Sequence, residues 1–366
     1  MTYFLIFSVT FVLALLFVPG AKRLSVRFGV VAKPGGRRKH VGRIPMLGGL
    51  AIFGAWLVGI LLMLWLMPPT EADDAIRIWG VILGSIVIVI GGLIDDWREL
   101  SPRGQFVIQF VAAALAMWNL VFIEVFTNPF PGTAVWEMPP FSWVFTVQGD
   151  LIWIWRPLAL LFTLFWVVGM INAINWLDGL DGLAAGVCTI AALLFAWHSF
   201  SLGQTTVPLL PLALAGALLG FLPFNFAPAK IFLGSVGAYL LGYQMATLSI
   251  LSPAKLSTAL LVLAIPIMDV AWLTINRMRR GRNPMSADRN HLHFRLADSG
   301  ISTRKIVLGY YAITIVFGLV AVLVPSRLVK VSLWIVLYLG VFLFLTWLRY
   351  GLLFFIFQGK TDTRGD

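Results

Sequence analysis

The sequence predicts an all-α polytopic membrane protein with about eleven transmembrane helices. Of its 366 residues, 60% are hydrophobic and only 12% are charged, and the mean hydropathy is +0.91. Soluble domains carry about a quarter charged residues, so this chain has too little polar surface to cover itself in water. The apolar residues also form continuous blocks of roughly 17–25 residues, the length that crosses a bilayer core as a helix. Residues 1–366 are therefore predicted to form a single integral membrane domain.

Each apolar block is predicted to span the membrane. The blocks are 2–20, 47–67, 78–94, 105–124, 157–174, 183–200, 206–223, 233–250, 256–276, 305–325 and 331–356. The first block is typical of a membrane span and not of a secretory signal, because the basic run follows it instead of preceding it. The single cysteine, Cys188, lies inside a block and cannot form an intrachain disulfide.

Basic residues are distributed unevenly between the two predicted faces of the membrane. Segments 21–46 and 277–305 each hold eight Lys or Arg residues, and their face holds 22 of the 27 in the chain. The positive-inside rule makes this face cytoplasmic. The N-terminus is then outside and the C-terminus cytoplasmic.

The longest predicted outer segment, 125–156, is rich in Pro, Trp and Phe. Within 141–155, apolar and polar residues alternate in places around Gly149 and Asp150. This pattern predicts a small β-hairpin, and tryptophans are common at a membrane interface. We expect the hairpin to lie on the outer surface.

Polar side chains concentrate in five predicted cytoplasmic loops, which we interpret as active-site loops. Asp95, Asp96, Asp178 and Asp181 all lie at the ends of spans. Polar groups at the membrane boundary are costly unless they are paired or functional. The loops are 21–46, 95–104, 172–182, 224–235 and 277–305.

Asp95 and Asp96 are adjacent carboxylates at the end of the third span. Adjacent carboxylates repel each other, and burial raises the cost of charging both. A bound cation or protonation of one group relieves the repulsion, which favours a magnesium site or a general base. Acids that only end a span and face water explain the pair equally well.

Four polar side chains recur every third residue in the third loop: Asn172, Asn175, Asp178 and Asp181. This spacing places them on about one face of a helical turn. The glycine after each aspartate lets backbone approach a ligand closely. An Asx turn would explain one such residue but not four, so the segment is predicted to bind a ligand.

The fourth loop combines an amide, a cation and an aromatic ring in Asn225, Lys230 and Phe232. A ring for stacking and an amide for edge recognition suit a nucleobase. A phenylalanine that faces the core or the lipid is the more common situation among 28 phenylalanines.

The fifth loop contains Arg289, His291 and His293, which suit a diphosphate. Residues two apart do not share a helix face, so extended or turn backbone is expected if both histidines reach one ligand. Two solvated histidines are the alternative. Asp269, inside the ninth span, is either functional or a buried anchor for Asn276 or a neighbouring helix.

These loops resemble the polyprenyl-phosphate N-acetylhexosamine-1-phosphate transferases, glycosyltransferase family 4. The strongest match is Asn-Ala-Ile-Asn-Trp-Leu-Asp-Gly-Leu-Asp-Gly-Leu-Ala at 172–184. Further matches are Gly-Gly-Leu-Ile-Asp-Asp at 91–96, Pro-Ala-Lys-Ile-Phe-Leu-Gly at 228–234 and Arg-Asn-Pro-Met-Ser-Ala-Asp-Arg-Asn-His-Leu-His at 282–293. Four motifs in order are far more specific than one. The last is most similar to the UDP-N-acetylglucosamine:undecaprenyl-phosphate branch.

The resemblance implies transfer of N-acetylglucosamine 1-phosphate from UDP-N-acetylglucosamine to undecaprenyl phosphate, with release of UMP, as the first membrane step of a cell-envelope polysaccharide pathway. It implies the bacterial cytoplasmic membrane as location, polyprenyl phosphate and a UDP-sugar as partners, and no nucleic acid; a homodimer is compatible with it. The implied cofactor is Mg²⁺, with Mn²⁺ as an alternative. The implied residues are Asp95, Asp96 and Asp178 for catalysis, the same three with Ser235 for metal, and Asn172, Asn175, Asp181, Asn225, Lys230, Phe232, Arg289, His291 and His293 for substrate.

Three positions depart from the family pattern. Ser235 stands where the family has its magnesium-binding Asp, Ala238 departs nearby, and Phe294 replaces a His. A serine would be a weak neutral ligand, which motivates one alternative: a catalytically impaired homologue that binds UDP-sugar or lipid phosphate. A lipid or solute transporter is the other, but transporters place polar sites near the bilayer midplane, and only Asp269 lies deep here.

Overall fold

The protein is a bundle of helices in a computed structural model that describes residues 1–32, 42–123, 125–127, 135–137, 143–147, 150–155, 157–251, 256–281, 291–324 and 326–358. Within these ranges the helices are α1 Thr2–Arg27, α2 Gly48–Leu66, α3 Ala72–Arg98, α4 Pro102–Trp118, α5 Pro157–Leu177, α6 Leu183–Ser201, α7 Leu209–Asn225, α8 Gly234–Leu251, α9 Leu256–Val262, α10 Ala264–Arg279, α11 Leu292–Asp298, α12 Thr303–Leu323 and α13 Arg327–Gln358. The strands are β1 Val31–Ala32, β2 Ile44–Pro45, β3 Val125–Thr127, β4 Val135–Glu137, β5 Trp143–Val147 and β6 Asp150–Trp155.

Every predicted apolar block contains a helix, but the ninth contains two. Helices α9 and α10 meet at Leu263, and Pro266 lies in the first turn of α10. A proline has no N–H to continue an existing helix but is accommodated in a first turn, which accounts for the new start. The short helix α11 was not predicted.

Six of the described helices are long and apolar enough to cross a membrane, by length and composition. They are α1, α2, α3, α5, α6 and α12, and shorter apolar helices occur at Leu209–Asn225 and Leu328–Leu343. The chain is therefore a multi-pass membrane protein. The number of eleven crossings and the orientation stay predictions.

The predicted β-hairpin is confirmed. Strands β5 and β6 pair antiparallel, with Trp143 opposite Trp155 and a register shift between Phe145 and Thr146. A second pair, β3 and β4, was not predicted, because three-residue strands are too short to show alternation. The position of the hairpin relative to the membrane stays a prediction.

Helix α8 lies at the centre of the bundle, where nearly all of its residues are buried. Its first turn lies against two helices whose contact residues are glycines. A Cβ on Gly92 of α3 would lie 2.6 Å from the Val236 Cα, and one on Gly49 of α2 would collide with the Gly237 backbone. Small residues allow such close packing of helix backbones. The start of α8 is thereby held near the ends of α2 and α3, where the polar loops lie.

Candidate active site

The predicted site residues lie at one end of the bundle. We call this end the loop face and define it by Asp96, Asp181, Ser235 and His291. The acids end α3 or follow α5, the serine is in the first turn of α8, and the histidine precedes α11. Arg289 and residues 33–41 of the first loop lie outside the described residues.

Asp95 is a buried carboxylate with three hydrogen-bond donors. It accepts from Leu100 N at 2.9 Å, Gln105 Nε2 at 3.2 Å and the Tyr239 hydroxyl at 2.9 Å. These donors lie before or on α4 and on α8, so one side chain joins the end of α3 to both helices. The structure therefore gives Asp95 a positioning task, whatever it does in catalysis.

Asp96, although adjacent, has a different environment. It is half-buried and accepts from the backbone N–H of Ser235 at 2.7 Å and of Val236 at 3.2 Å. These N–H groups belong to the start of α8, where the helix dipole stabilises an anion. The Ser235 hydroxyl also reaches this carboxylate. Asp96 is therefore held at the loop face by helix-end donors.

The contact between Asp96 and α8 requires glycine at position 234. Gly234 has a φ of +70°, and a Cβ there would collide with the Met46 carbonyl and the Asp96 carboxylate. We expect Gly234→Ala to lower the free energy of unfolding by at least the 1–3 kcal/mol that left-handed backbone costs other residues. Thermal unfolding in detergent measures this effect.

Gly169→Ala on α5 is the matched control, because a Cβ there meets open space. Alanine at such a helical position is neutral or stabilises. Equal melting temperatures for the two variants would show that the geometry of Gly234 is not required.

Asp178 and Asp181 do not share a helix face, so that expectation is wrong. Helix α5 ends at Leu177, and the aspartates lie in the turn before α6. Two glycines close together weaken a helix, and Gly182 has a left-handed φ of +80°. Asp178 is half-buried in this turn.

The turn between α5 and α6 is clamped to the segment between α7 and α8. The Asp181 carboxylate accepts from Ala229 N at 2.8 Å. Asn225, which is 2% exposed, accepts from Gly182 N at 3.1 Å and donates to the Ile231 carbonyl at 2.9 Å. Both side chains, which the resemblance assigns to substrate binding, therefore hold two loops together.

The two asparagines of α5 have different roles in the structure. Asn172 donates to Gln109 Oε1 on α4 at 2.8 Å and to the Val168 carbonyl at 2.8 Å. Asn175 is half-buried and makes no side-chain hydrogen bond to the described residues. Asn175 is therefore the better placed of the two to bind a ligand.

Lys230 and Phe232 differ in exposure. Lys230 is exposed, whereas Phe232 packs against the small apolar cluster Val30, Ala32, Met46 and Leu47. The Phe232 backbone donates to the Pro45 carbonyl at 2.8 Å and accepts from Gly48 N at 3.0 Å. Phe232 thereby fixes the first loop against the start of α8.

The two histidines of the fifth loop lie side by side and are both buried, so the alternative of two solvated histidines is wrong. His291 has extended backbone just before α11, and His293 lies inside it. Their rings stack with centroids 5.7 Å apart and planes 17° apart. His293 and Phe294 pack on Gly179 in the turn between α5 and α6, where a Cβ would collide with both side chains. This contact joins the fifth loop to the third.

Two residues at this place were missed by sequence reasoning. Trp176 lies with its ring 5.7 Å from the His291 ring, and the guanidinium of Arg277 lies 5.7 Å from the centre of the same tryptophan ring. Arg277 is 4% exposed, which is rare for an arginine. Trp176 lies within the strongest motif, but one arginine among seven in its segment carries no distinguishing signal.

Asp269 is a buried anchor, but its partner is not Asn276. Its carboxylate contacts His291 Nδ1 at 2.9 Å and accepts from Leu292 N at 3.0 Å. Asn276 instead donates to the Trp272 carbonyl at 2.8 Å. The acid inside the ninth predicted span therefore contacts the loop face.

Metal binding depends on which donors remain available. Within the described ranges, no three His, Cys, Asp or Glu side chains lie together as a metal site. Mg²⁺ keeps several waters and is commonly bound by one or two carboxylates together with substrate phosphates. The Asp96 carboxylate beside the Ser235 hydroxyl fits a magnesium ion that arrives with a diphosphate, and it fits a resident ion poorly.

A membrane-spanning bundle with carboxylates, amides and histidines around one rim has the features of an integral membrane enzyme. Residues 78–253, from α3 to the end of α8, match the sequence profile of glycosyl transferase family 4. The chain belongs to this family and is a sugar 1-phosphate transferase.

Three relatives show how far the similarity extends. The chain is 33% identical to a probable undecaprenyl-phosphate N-acetylglucosaminyl 1-phosphate transferase of Bacillus subtilis, over 92% of this chain and 89% of that protein. It is 33% identical to a decaprenyl-phosphate N-acetylglucosaminephosphotransferase of Mycolicibacterium smegmatis, over 79% and 73%. It is 29% identical to a phospho-N-acetylmuramoyl-pentapeptide-transferase of Staphylococcus aureus, over 85% and 94%.

Proposed function

We propose that the protein transfers N-acetylglucosamine 1-phosphate from UDP-N-acetylglucosamine to undecaprenyl phosphate and releases UMP. The observation that carries this proposal is the joining of the four family motifs at one rim, through Asp96 with Ser235, Asp181 with Ala229, and His293 with Gly179. The named relatives from Bacillus subtilis and Mycolicibacterium smegmatis support the sugar and the lipid class.

The proposal includes the location. The chain crosses the bacterial cytoplasmic membrane eleven times, with the loop face cytoplasmic and the N-terminus outside. The excess of Lys and Arg in segments 21–46 and 277–305 supports this orientation. A site at the rim takes the nucleotide sugar from the cytoplasm and the lipid phosphate from the bilayer, as a first step in cell-envelope polysaccharide synthesis requires.

The reaction is a phosphoryl transfer. An oxygen of the lipid phosphate attacks the β-phosphorus of the nucleotide sugar, and the bond from that phosphorus to the bridging oxygen breaks. UMP leaves with the bridging oxygen, and the lipid keeps a diphosphate that carries the sugar. Positioning and charge stabilisation contribute most of the catalysis in such transfers.

Asp96 is the residue that we assign to the lipid phosphate, as the group that orients it or accepts its proton. Both carboxylates accept hydrogen bonds, but Asp95 is only 6% exposed, whereas Asp96 keeps more of its surface accessible to a ligand. Asp178 faces the same substrate from the turn after α5. We favour direct attack by the lipid phosphate over a covalent enzyme intermediate, because direct attack is the simpler route and needs no carboxylate at position 235, where this chain has a serine.

The nucleotide would be held by the clamped loops. Asp181, Asn225 and Phe232 shape this binding region through their contacts with backbone, while Asn175 and Lys230 offer polar groups to the ligand. His291, His293 and Arg289 are assigned to the diphosphate or the sugar. Magnesium, held by Asp96, Asp178 and the Ser235 hydroxyl with the substrate phosphates, would neutralise charge on the diphosphate.

A binding-only homologue is the second candidate, and Ser235 is the observation that favours it. Without an Asp at this position, the chain offers one carboxylate fewer to a metal. In that case the protein would bind UDP without magnesium and would not turn over.

A donor labelled with ³²P at the β-phosphorus tests the proposed reaction. We expect the label to move into the lipid fraction together with the sugar, only when polyprenyl phosphate is present. Label that stays in UDP while sugar reaches the lipid would show ordinary glycosyl transfer and would contradict the proposal. UDP-N-acetylmuramoyl-pentapeptide as a competing donor tests the choice of sugar.

A further inference from the structure

The buried pair Asp269 and His291 lies outside the segment that matches the family profile, which ends at residue 253. Asp269 is 4% exposed and His291 is 4% exposed. One carboxylate oxygen lies 2.9 Å from His291 Nδ1, and the other accepts from Leu292 N at 3.0 Å. A single side chain of α10 therefore binds both a ring and the backbone at the start of α11.

The carboxylate determines which ring nitrogen carries a hydrogen. An ionised carboxylate can only accept, so the contact forms a hydrogen bond when Nδ1 carries the hydrogen. The ring is held between Trp176, at 5.7 Å, and the stacked ring of His293. Nε2 makes no hydrogen bond to the described residues and is the atom left for a ligand.

We propose that Asp269 is a positioning residue that holds His291 with Nδ1 protonated, so that Nε2 binds an anionic oxygen of the sugar nucleotide. When a phosphate oxygen approaches Nε2, both ring nitrogens face acceptors, and only the doubly protonated ring donates to both. The ring then brings a positive charge to the diphosphate. The identity of this ligand rests on the proposed function, whereas the protonation of Nδ1 does not.

Because Leu292 N donates a hydrogen bond to Asp269, the Asp269→Asn variant can be used to test the proposal. In Asp269→Asn, the Leu292 N–H still needs an acceptor and takes the amide oxygen. The amide NH₂ then faces His291 Nδ1 and donates to it, so Nδ1 must lose its hydrogen and Nε2 must carry one. The variant keeps the hydrogen bond that joins α10 to α11, but it moves the hydrogen of the His291 ring from Nδ1 to Nε2.

Nitrogen-15 NMR of the histidine side chains in the purified full-length protein tests this move of the hydrogen without substrate. The chain has only four histidines, and the His291→Ala variant identifies the signals of His291. We expect a protonated Nδ1 in the unmodified protein and an unprotonated Nδ1 in Asp269→Asn. The same Nδ1 signal in both proteins would overturn the proposal.

Steady-state kinetics test how the orientation of the His291 ring affects substrate binding. We expect Asp269→Asn to raise the KM for UDP-N-acetylglucosamine about 10–100-fold, the effect of losing a charged hydrogen-bond partner, with a smaller change in kcat. In a His291→Ala background the same substitution should change KM less than about 2-fold, because Asp269 acts through the ring. Equal effects in both backgrounds would reduce Asp269 to a structural anchor.

Asp74→Asn is the matched control, because it makes the same chemical change at a partly exposed acid. Asp74 lies in the first turn of α3 and pairs with Arg77, whereas the loop face lies at the opposite end of α3. This variant should change neither the NMR signals nor KM. If the unmodified protein shows no transfer, the proposed function fails, but the NMR experiment still decides the positioning role.

Discussion

Asp96→Asn is expected to lower the kcat for UMP release by about 10²–10⁴-fold, the range for loss of a general acid–base group. The amide offers one acceptor where the carboxylate offers two, and it has no charge to balance the N–H groups of Ser235 and Val236. Steady-state kinetics in detergent with saturating lipid phosphate measures the effect. UDP binding should change far less than turnover.

The control for this variant is again Asp74→Asn, because it removes one carboxylate at the opposite end of the same helix. Each preparation needs a thermal unfolding curve, so that a misfolded variant is not counted as an inactive one. Turnover within a factor of three of the unmodified protein, in a folded Asp96→Asn variant, would remove Asp96 from the catalytic step.

Ser235→Asp is expected to make stability depend on magnesium. The new carboxylate would lie beside Asp96, whose oxygens already face the start of α8. In EDTA the like charges repel and the melting temperature should fall below that of the unmodified protein. With Mg²⁺ at 100 times its dissociation constant, metal binding should raise the free energy of unfolding of the variant by about 2.7 kcal/mol. Turnover should equal or exceed that of the unmodified protein.

Ser302→Asp is the matched control for this experiment, because Ser302 is the exposed N-cap residue of α12, also a helix start. A carboxylate at position 302 has no paired acid, so the melting temperature of this variant should be the same in EDTA and in Mg²⁺. If Ser235→Asp melts at the same temperature in EDTA and in Mg²⁺, position 235 does not contribute to a metal site in this chain.

The sequence was sufficient for the long apolar helices, the hairpin β5–β6 and the set of polar loops, because hydropathy and alternation are local signals, but it did not predict α11 or the break between α9 and α10. It was not sufficient for the tasks of individual polar residues. Asp95 and Asp96 cannot be distinguished within the motif. In the structure, Asp95 is buried and accepts from three donors, whereas Asp96 binds the N–H groups at the start of α8. That difference depends on how α4 and α8 pack against α3.

Two further misses have the same cause. The spacing of Asp178 and Asp181 suggested a helical turn, but the left-handed Gly182 and the hydrogen bond from Ala229 N to the Asp181 carboxylate hold the segment as a turn between helices. The partner of Asp269 is 22 residues away in the sequence, a separation that carries no local signal. Only the tertiary structure brings α10 against the start of α11.

The proposed transfer is measured directly as UMP release by the purified protein with UDP-N-acetylglucosamine, polyprenyl phosphate and Mg²⁺, with EDTA and no-lipid controls. We expect release that needs both the lipid and the metal, which would show that Ser235 is tolerated. No release from a folded preparation that binds UDP would contradict the proposed transfer and support the binding-only homologue.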